Sequence, residues 1–332
     1  MTLTPSSSLF LISLITSSMI CISSSTWIGA WMGLEMNLLS FIPLMNKNKT
    51  PYENEAAMKY FLVQAMASVI FLLSIMMSSM LNFDLQSSAN YLMTSALLMK
   101  MGAAPFHFWF PGVMEGLEWM NCLILMTWQK LAPFILLSYK LNLSLIILMV
   151  VIMSAIVGSV GGINQSSVRK MMAYSSISHL GWMITAMLIS KNYWMLYFFI
   201  YTLLNFAVIF IFQAQSIYHL SQIYYYNNPN TMNKITTFIS LLSLGGLPPF
   251  LGFLPKWMVI QNMMSLQYTM LAMILVMTTL ITLFFYLRMM FSAFTFINQE
   301  MKWLNSNNKS SVQILLMALS ITGIPMLMMI PT

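Results

Sequence analysis

The chain has 332 residues, of which 59% are hydrophobic and only 6% are charged. Because a soluble domain carries about 25% charged residues, this composition excludes a water-facing globular surface and predicts a polytopic membrane protein. A net charge of +7 would suggest nucleic-acid binding in a soluble protein. In a membrane protein it indicates basic loops on one face instead, and we expect no nucleic-acid partner. The two cysteines, Cys21 and Cys122, lie in apolar runs and predict neither a disulfide framework nor a metal site.

Apolar segments of about 20 residues, the length that crosses a bilayer, follow one another along the chain. They predict an all-α polytopic membrane protein with about eleven transmembrane helices in a single transmembrane domain, 1–332. The ninth segment is long because it contains a Gly-Gly-Leu-Pro-Pro break. The predicted segments lie near 6–25, 27–45, 56–80, 87–109, 118–139, 144–162, 168–189, 192–217, 235–265, 268–291 and 311–330.

Two of these segments are interrupted by the same short motif. Gly-x-x-Pro-Phe begins at Gly102 and again at Gly246, 144 residues later, and a further proline follows five residues after each phenylalanine. A lysine accompanies each copy, Lys100 before the first glycine and Lys256 after the last proline of the second copy. Glycine and proline open the hydrogen-bond ladder of a helix, and a pair of interrupted segments indicates a transporter site.

Lysine and arginine are distributed unequally between the predicted loops. Eight lie on the side of the amino terminus and two on the opposite side, which places the amino terminus on the positive-inside face. Segments four and nine are five spans apart and therefore run in opposite directions, as an inverted repeat requires. We therefore expect a first inverted repeat at 6–139, a second at 144–291, and a final helix at 311–330 outside both.

Among the ionisable residues of the apolar segments, Glu35, Lys100, Lys130 and Lys256 are the main candidates for charges inside the membrane. A charge at the centre of a membrane helix costs about 2.5–3.5 kcal/mol, so these groups must be paired, hydrated or neutral. The functional interpretation is a carboxylate that faces the bundle interior and pairs with a lysine. The alternative is a structural ion pair that fixes two helices.

Three further residues are candidates for a supporting role. Lys59 follows Glu55 by four residues, so it either forms a local helical pair near the surface or supports the buried charges. His107 and His179 lie within predicted spans and could relay protons near neutral pH. A hydrogen-bonded histidine of the interior is the alternative for each.

A lysine in a dry interior can hold and release a proton. Burial disfavours the ammonium and a neighbouring carboxylate favours it, so a change in the distance between Glu35 and a lysine would switch that lysine. Broken helices supply backbone carbonyls and amides that can order water between such groups. This mechanism needs no metal or cofactor, and the sequence has no histidine pair at ligand spacing, no phosphate loop and no nucleophile–base motif.

Four stretches resemble a known family. GLEMNLLSFIPL around Glu35, EAAMKYFLVQA around Lys59, KMGAAPFHFWFP around Lys100 and GGLPPFLGFLPKW around Lys256 are similar to the chain 2 family of mitochondrial NADH:ubiquinone oxidoreductase. That family comprises antiporter-like membrane subunits of respiratory complex I. The resemblance spans almost the whole chain, and the last motif is long and specific.

The resemblance implies a Glu35–Lys100 pair, followed along a polar axis by Lys130 and Lys256. It implies proton transfer across the mitochondrial inner membrane by a subunit of an H⁺-translocating NADH:ubiquinone reductase that has no redox centre of its own. NADH, FMN, iron–sulfur clusters and ubiquinone would belong to partner subunits. The implied partners are other membrane-arm and accessory subunits, together with membrane lipids, and the basic loops would lie at the matrix face.

Other interpretations remain open at this point. An Mrp-type cation:proton antiporter shares this architecture. A cluster of membrane carboxylates would indicate such an antiporter, and only Glu35 is seen. A purely structural membrane-arm subunit with a vestigial charged axis is a further alternative. A quinone-binding enzyme would need a distinctive motif, and none is found.

Overall fold

The computed structural model describes residues 5–47, 50–80, 86–140, 145–225 and 231–295. Over these ranges the chain is helical, apart from connecting turns and one isolated β-bridge between Ser167 and His219. The all-α fold class is therefore confirmed. Within these described ranges, seven helical stretches are long and apolar enough to cross a membrane, at Pro5–Ser23, Trp27–Met45, Pro51–Ser79, Trp119–Lys140, Leu145–Ile163, Lys191–Gln215 and Thr269–Met290.

The count of eleven spans stays a prediction. The expected final helix at 311–330 lies outside the described residues. Among the described helices, some that match predicted spans are shorter or more polar than the seven apolar ones, because they contain the breaks or carry ionisable side chains.

The chain divides into two compact units, unit 1 at Met1–Leu145 and unit 2 at Ile146–Thr332. The inverted relation between the repeats predicted at 6–139 and 144–291 stays a prediction. The helices of unit 1 are α1 (Pro5–Ser23), α2 (Trp27–Met45), α3 (Pro51–Met80), α4 (Gln86–Met101), α5 (Trp109–Gly116), α6 (Trp119–Met126) and α7 (Trp128–Lys140).

Local chemistry sets how α1 turns into α2. The Thr26 hydroxyl accepts a hydrogen bond from the Gly29 amide at 3.2 Å, which caps the first turn of α2. A Cβ atom at Gly33 would lie 2.7 Å from Cys21 Cβ, so only glycine allows the two helices to approach this closely. Cys21 is a buried free thiol.

Two predicted segments of unit 1 are not continuous helices. The segment predicted at 87–109 ends its helix at Met101, and α5 begins only at Trp109. The segment predicted at 118–139 is interrupted at Thr127, whose hydroxyl donates to the Leu123 carbonyl at 2.7 Å, and this interruption was not predicted. Pro133 lies inside α7 and has no N–H to donate to the carbonyl four residues earlier.

The helices in the described part of unit 2 are α8 (Leu145–Ile163), which begins at the boundary, α9 (Val168–Ile189), α10 (Lys191–Gln215), α11 (Leu220–Tyr225), α12 (Thr231–Gly245), α13 (Phe253–Ser265) and α14 (Thr269–Thr295). Small residues bring α8 against α9. A Cβ at Gly158 would overlap the Ser178 amide nitrogen, and a Cβ at Gly181 would lie 2.8 Å from Ser154 Oγ. Close backbone approach through small residues is typical of packing between membrane helices.

Large apolar side chains remain exposed on the outer faces of both units. Leu9 and Met66 in unit 1 are 67% and 64% exposed, and Met149 and Met270 in unit 2 are 62% and 77% exposed. A soluble monomer rarely shows apolar surface on this scale, whereas lipid covers such surface in a bilayer. The fold thus places Lys100, Lys130 and Lys256 in the interior and leaves large apolar side chains on the surface.

Candidate functional site

A glycine interrupts the helical hydrogen bonds at the first break. Gly102 adopts φ +75°, a left-handed conformation that favours glycine. Its amide donates to the Met99 carbonyl at 3.2 Å, and the Ala103 amide donates to the Leu98 carbonyl at 3.1 Å. These two bonds form a Schellman cap, which ends α4 at Met101. The Trp109 indole nitrogen also donates to the Met99 carbonyl at 3.2 Å, so a neutral side chain satisfies this end of the helix.

Two of the predicted lysines line one cavity inside unit 1. Lys100 lies in the last turn of α4 and is 7% exposed, and Lys130 lies in α7 and is 1% exposed. The cavity measures about 20 Å³ of space open to the centre of a water molecule. Since about 10–15 Å³ of such space holds one water, it accommodates a single molecule. The remaining lining residues are Leu34, Asn37, Leu38, Tyr60, Gln64, Met101, Trp109, Phe110, Leu125, Gln129 and Pro133.

A chain of hydrogen bonds joins three polar side chains of this wall. The Tyr60 hydroxyl donates to Gln129 Oε1 at 3.5 Å, and Gln129 Nε2 donates to Asn37 Oδ1 at 3.0 Å. These residues come from α3, α7 and α2, so the chain joins three helices. A fourth lining residue, Gln64, donates from Nε2 to the Lys100 carbonyl at 3.2 Å and secures the last turn of α4.

Glu35 is half-buried on α2 and is not among the residues that line the cavity. Its carboxylate is close enough to act electrostatically on the Lys100 ammonium. Among the described residues, no ion pair within 4.0 Å joins these two side chains, so the predicted Glu35–Lys100 pair stays a prediction. Lys130 makes a cation–π contact with the Phe110 ring, at 5.2 Å from its Nζ to the ring centroid.

The two supporting candidates of unit 1 lie outside the cavity wall. Lys59 Nζ pairs with Glu55 Oε1 at 2.6 Å, and both side chains are at least half exposed, as the local-pair alternative predicts. The His107 side chain is buried in the turn between α4 and α5, where Nδ1 donates to the Pro105 carbonyl at 3.2 Å. A supporting role for either residue stays a prediction.

The second break repeats the first in unit 2. Gly246 adopts φ +78°. Its amide donates to the Ser243 carbonyl at 3.1 Å, and the Leu247 amide donates to the Leu242 carbonyl at 3.5 Å. Here the buried Lys256 provides the side-chain cap, because its Nζ donates to the Gly245 carbonyl at 2.9 Å. A positive charge at a helix carboxyl terminus is stabilised by the helix dipole.

His179 lies in a separate polar cluster of unit 2. The His179 side chain is buried in α9, its Nδ1 lies 2.9 Å from the Tyr197 hydroxyl, and its ring packs 5.1 Å from the Tyr201 ring. This is the hydrogen-bonded interior histidine that the alternative interpretation predicts. Its part in proton transfer stays a prediction.

Comparison with known proteins places the chain in a family. The family model described as NADH:quinone oxidoreductase/Mrp antiporter, TM, matches residues 24–282. NADH-ubiquinone oxidoreductase chain 2 of Anopheles gambiae is 50% identical over 98% of this chain and 98% of that protein. The Locusta migratoria protein of the same name is 47% identical over 94% of this chain and 92% of that protein. The chain belongs to the NADH-ubiquinone oxidoreductase chain 2 family.

Solved structures support the fold of this family. A chain of respiratory complex I from Thermus thermophilus with bound aureothin superposes with a TM-score of 0.82 at 22% identity, covering 96% of this chain and 78% of that chain. A chain of the Mrp complex from Dietzia sp. DQ12-45-1b gives a TM-score of 0.75 at 15% identity, covering 86% of this chain and 59% of that chain. The antiporter-like fold predicted from the sequence is confirmed.

Sequence reasoning about this family member missed four neutral residues of the cavity wall. A usable signal was present, because each is a polar residue within a predicted apolar span. Only charged residues were selected by their cost of burial, although uncharged amides and hydroxyls also need hydrogen-bond partners inside a membrane. The missed residues are Asn37, Tyr60, Gln64 and Gln129.

Proposed function

We propose that this chain is a proton-translocating membrane subunit of respiratory complex I. NADH oxidation by ubiquinone takes place in other subunits, where NADH, FMN, the iron–sulfur clusters and ubiquinone bind. This chain contributes no redox centre and moves protons across the mitochondrial inner membrane. Family membership supports the assignment, because the matching relatives carry the name NADH-ubiquinone oxidoreductase chain 2.

The observation that carries the proposal is the pair of buried lysines on one cavity. Lys100 and Lys130 are both buried, and they line a space large enough for one water. A purely structural subunit gains nothing from two like charges at one buried site, since well-packed apolar residues avoid their desolvation cost. Two groups that exchange a proton need this proximity, because only one of them is charged at a time.

In the proposed mechanism, Glu35, Lys100, Lys130 and Lys256 form the proton-transfer axis. Glu35 acts on the charge of Lys100, which exchanges its proton with Lys130 inside unit 1. Lys256 continues the axis in unit 2, where its proton is held at a helix carboxyl terminus. Lys59, His107 and His179 support the axis from positions around it.

The membrane location, the orientation and the partners of the protein belong to the same proposal. The protein lies in the mitochondrial inner membrane with its amino terminus on the matrix side, as the bias of basic loop residues indicates. Its partners are the other membrane-arm and accessory subunits of complex I, and lipid covers its exposed apolar faces. A protease that cleaves the amino-terminal tail only from the matrix side supports this orientation, and cleavage from the opposite side contradicts it.

The test is a lysine substitution in the assembled complex. Lys130→Met keeps the length and apolar stem of the side chain and removes the proton carrier. We expect it to abolish most NADH:ubiquinone turnover and proton pumping, measured in membranes with the amount of assembled complex as the reference. Lys140→Met is the matched control, because Lys140 ends the same helix and donates to Asn90 Oδ1 away from the cavity.

The same measurement separates the alternatives. Unchanged coupling in Lys130→Met would contradict the proposal and favour a purely structural subunit. The Mrp-type cation:proton antiporter is favoured by the shared family description and by the fold likeness to the Mrp complex. Proton movement that requires sodium on the opposite side would support it, and proton movement that depends only on redox turnover supports the complex I subunit.

A further inference from the structure

The cavity of unit 1 is walled by neutral polar groups as well as by lysines. Asn37, Tyr60 and Gln129 form the hydrogen-bonded chain described above, and each of them lines the cavity. These three side chains and the two lysines offer polar groups to a molecule inside the cavity. The side chains of the cavity wall therefore determine the orientation of such a molecule.

Gln129 is the central member of the chain. A glutamine amide offers two N–H donors and two acceptor lone pairs. The bonds to Asn37 and Tyr60 use one donor and one lone pair, at opposite ends of the amide. Both ends are thereby fixed, so the amide cannot rotate without breaking one of them. One donor and one lone pair remain for a further partner.

A water of the cavity is the partner that this geometry suits. The space holds one molecule, and a buried water needs two to four polar partners. Gln129 precedes Lys130 in the chain, and Lys100 lines the same space from α4. A neutral amide neither stores nor releases a proton near neutral pH, so its contribution is orientation.

We propose that Gln129, held by Asn37 and Tyr60, is a positioning residue that orients one water between Lys100 and Lys130. The proposal rests on the proposed function and extends it to residues outside the charged axis. In the transfer step, the Lys100 ammonium gives a proton to the water oxygen while the water gives another to the neutral amine of Lys130. Lys100 ends neutral, Lys130 ends as the ammonium, and the water is restored.

The test compares two amide substitutions in the assembled complex. Gln129→Leu removes both hydrogen bonds and keeps an apolar side chain of similar size. We expect coupled turnover to fall about tenfold, as for the loss of one or two hydrogen bonds that act in the transfer step. We also expect a larger solvent deuterium isotope effect, because transfer through a disordered water becomes the slow step. Both are measured on membranes with equal amounts of assembled complex.

Asn121→Leu is the matched control. Asn121 is a buried amide of the same unit, and its Nδ2 donates to the Leu44 carbonyl at 2.9 Å, but it does not line the cavity. We expect this variant to lower thermal stability and leave the isotope effect unchanged. A fall of turnover in Gln129→Leu without a change of isotope effect would show a structural role only and overturn the proposal.

A second variant tests the network directly. Tyr60→Phe removes the hydroxyl that donates to Gln129 and should raise the isotope effect to a smaller extent. Added to Gln129→Leu, it should have no further effect, because both act on one group. Additive effects would overturn the proposal. If Gln129→Leu does not assemble, Tyr60→Phe alone decides, and an unchanged isotope effect counts against the positioning role.

The proposed function and the positioning role of Gln129 can fail separately. If Lys130→Met retains full pumping, the proposed function fails whatever Gln129→Leu does. If Lys130→Met abolishes pumping and Gln129→Leu behaves as the wild type, the function stands and only the positioning role of Gln129 is lost.

Discussion

The broken helix of unit 1 and the broken helix of unit 2 share one backbone arrangement and differ in the side chain that satisfies it. Four hydrogen bonds recur at a spacing of 144 residues, from the amides of Gly102, Ala103, Phe106 and Phe110 and again from those of Gly246, Leu247, Phe250 and Leu254. In each copy a glycine with positive φ ends the helix. The duplicated motif therefore encodes a repeated helix end.

The lysine occupies a different place in each copy. In unit 1, Lys100 precedes the break and the indole of Trp109 caps the helix, which leaves the lysine at the cavity wall. In unit 2, Lys256 follows the break and its own Nζ is the cap. The same backbone arrangement therefore places its lysine differently in the two units. It brings a lysine to a water-sized space in unit 1, and in unit 2 it holds a lysine proton against a helix carboxyl terminus.

The largest effect is expected from a substitution in the turn after the second break. It tests whether this turn packs more tightly than the turn after the first break. A Cβ atom at Gly252 would overlap the Ser243 carbonyl oxygen, whereas the residue 144 positions earlier, Phe108, is 82% exposed. We expect Gly252→Ala to destabilise the fold by about 3 kcal/mol or more, among the large effects of single substitutions. The amount of assembled complex on native gels should fall several-fold, and Phe108→Ala should assemble normally. Equal assembly of the two variants would contradict the difference in packing.

The positions of the two helix breaks were predicted well from the sequence. The repeated Gly-x-x-Pro-Phe motif located both breaks, because glycine and proline act on the chain locally. It did not distinguish which residue ends the helix, and the structure assigns that role to Gly102 and Gly246 through their caps. The break at Thr127 carries no such motif and was not predicted.

The candidate site was predictable only in part. Lys100 and Lys130 were identified because a charge in an apolar segment is costly wherever the helix packs. Their common cavity depends on how α2, α3, α4 and α7 meet, which periodicity does not specify. The bond between Gln129 and Asn37 joins residues 92 positions apart, and no local pattern predicts a contact at that separation.

A smaller effect should separate the two glycines that end the helices. An alanine at either position costs about 1–2 kcal/mol for the left-handed conformation. At Gly246 its Cβ would also lie 2.9 Å from Lys256 Nζ, whereas at Gly102 the nearest atom is Phe110 Cβ at 3.3 Å. We expect both variants to lower the thermal midpoint of the complex, and only Gly246→Ala to reduce turnover per assembled complex. Normal turnover in Gly246→Ala would show that the position of the Lys256 ammonium is not critical.

The smallest expected effect concerns the neutral cap of unit 1. Trp109→Phe removes the indole donor and keeps an aromatic ring at the cavity, as in unit 2, where Phe253 stands 144 residues later. The Met99 carbonyl then loses one neutral hydrogen bond, worth about 1 kcal/mol, so the thermal midpoint should fall slightly while turnover is retained. Turnover and midpoint are measured on the same preparation. If this variant lost turnover as fully as Lys130→Met, the indole would belong to the proton path. The contrast between an indole cap in one unit and a lysine cap in the other would then no longer separate the two sites.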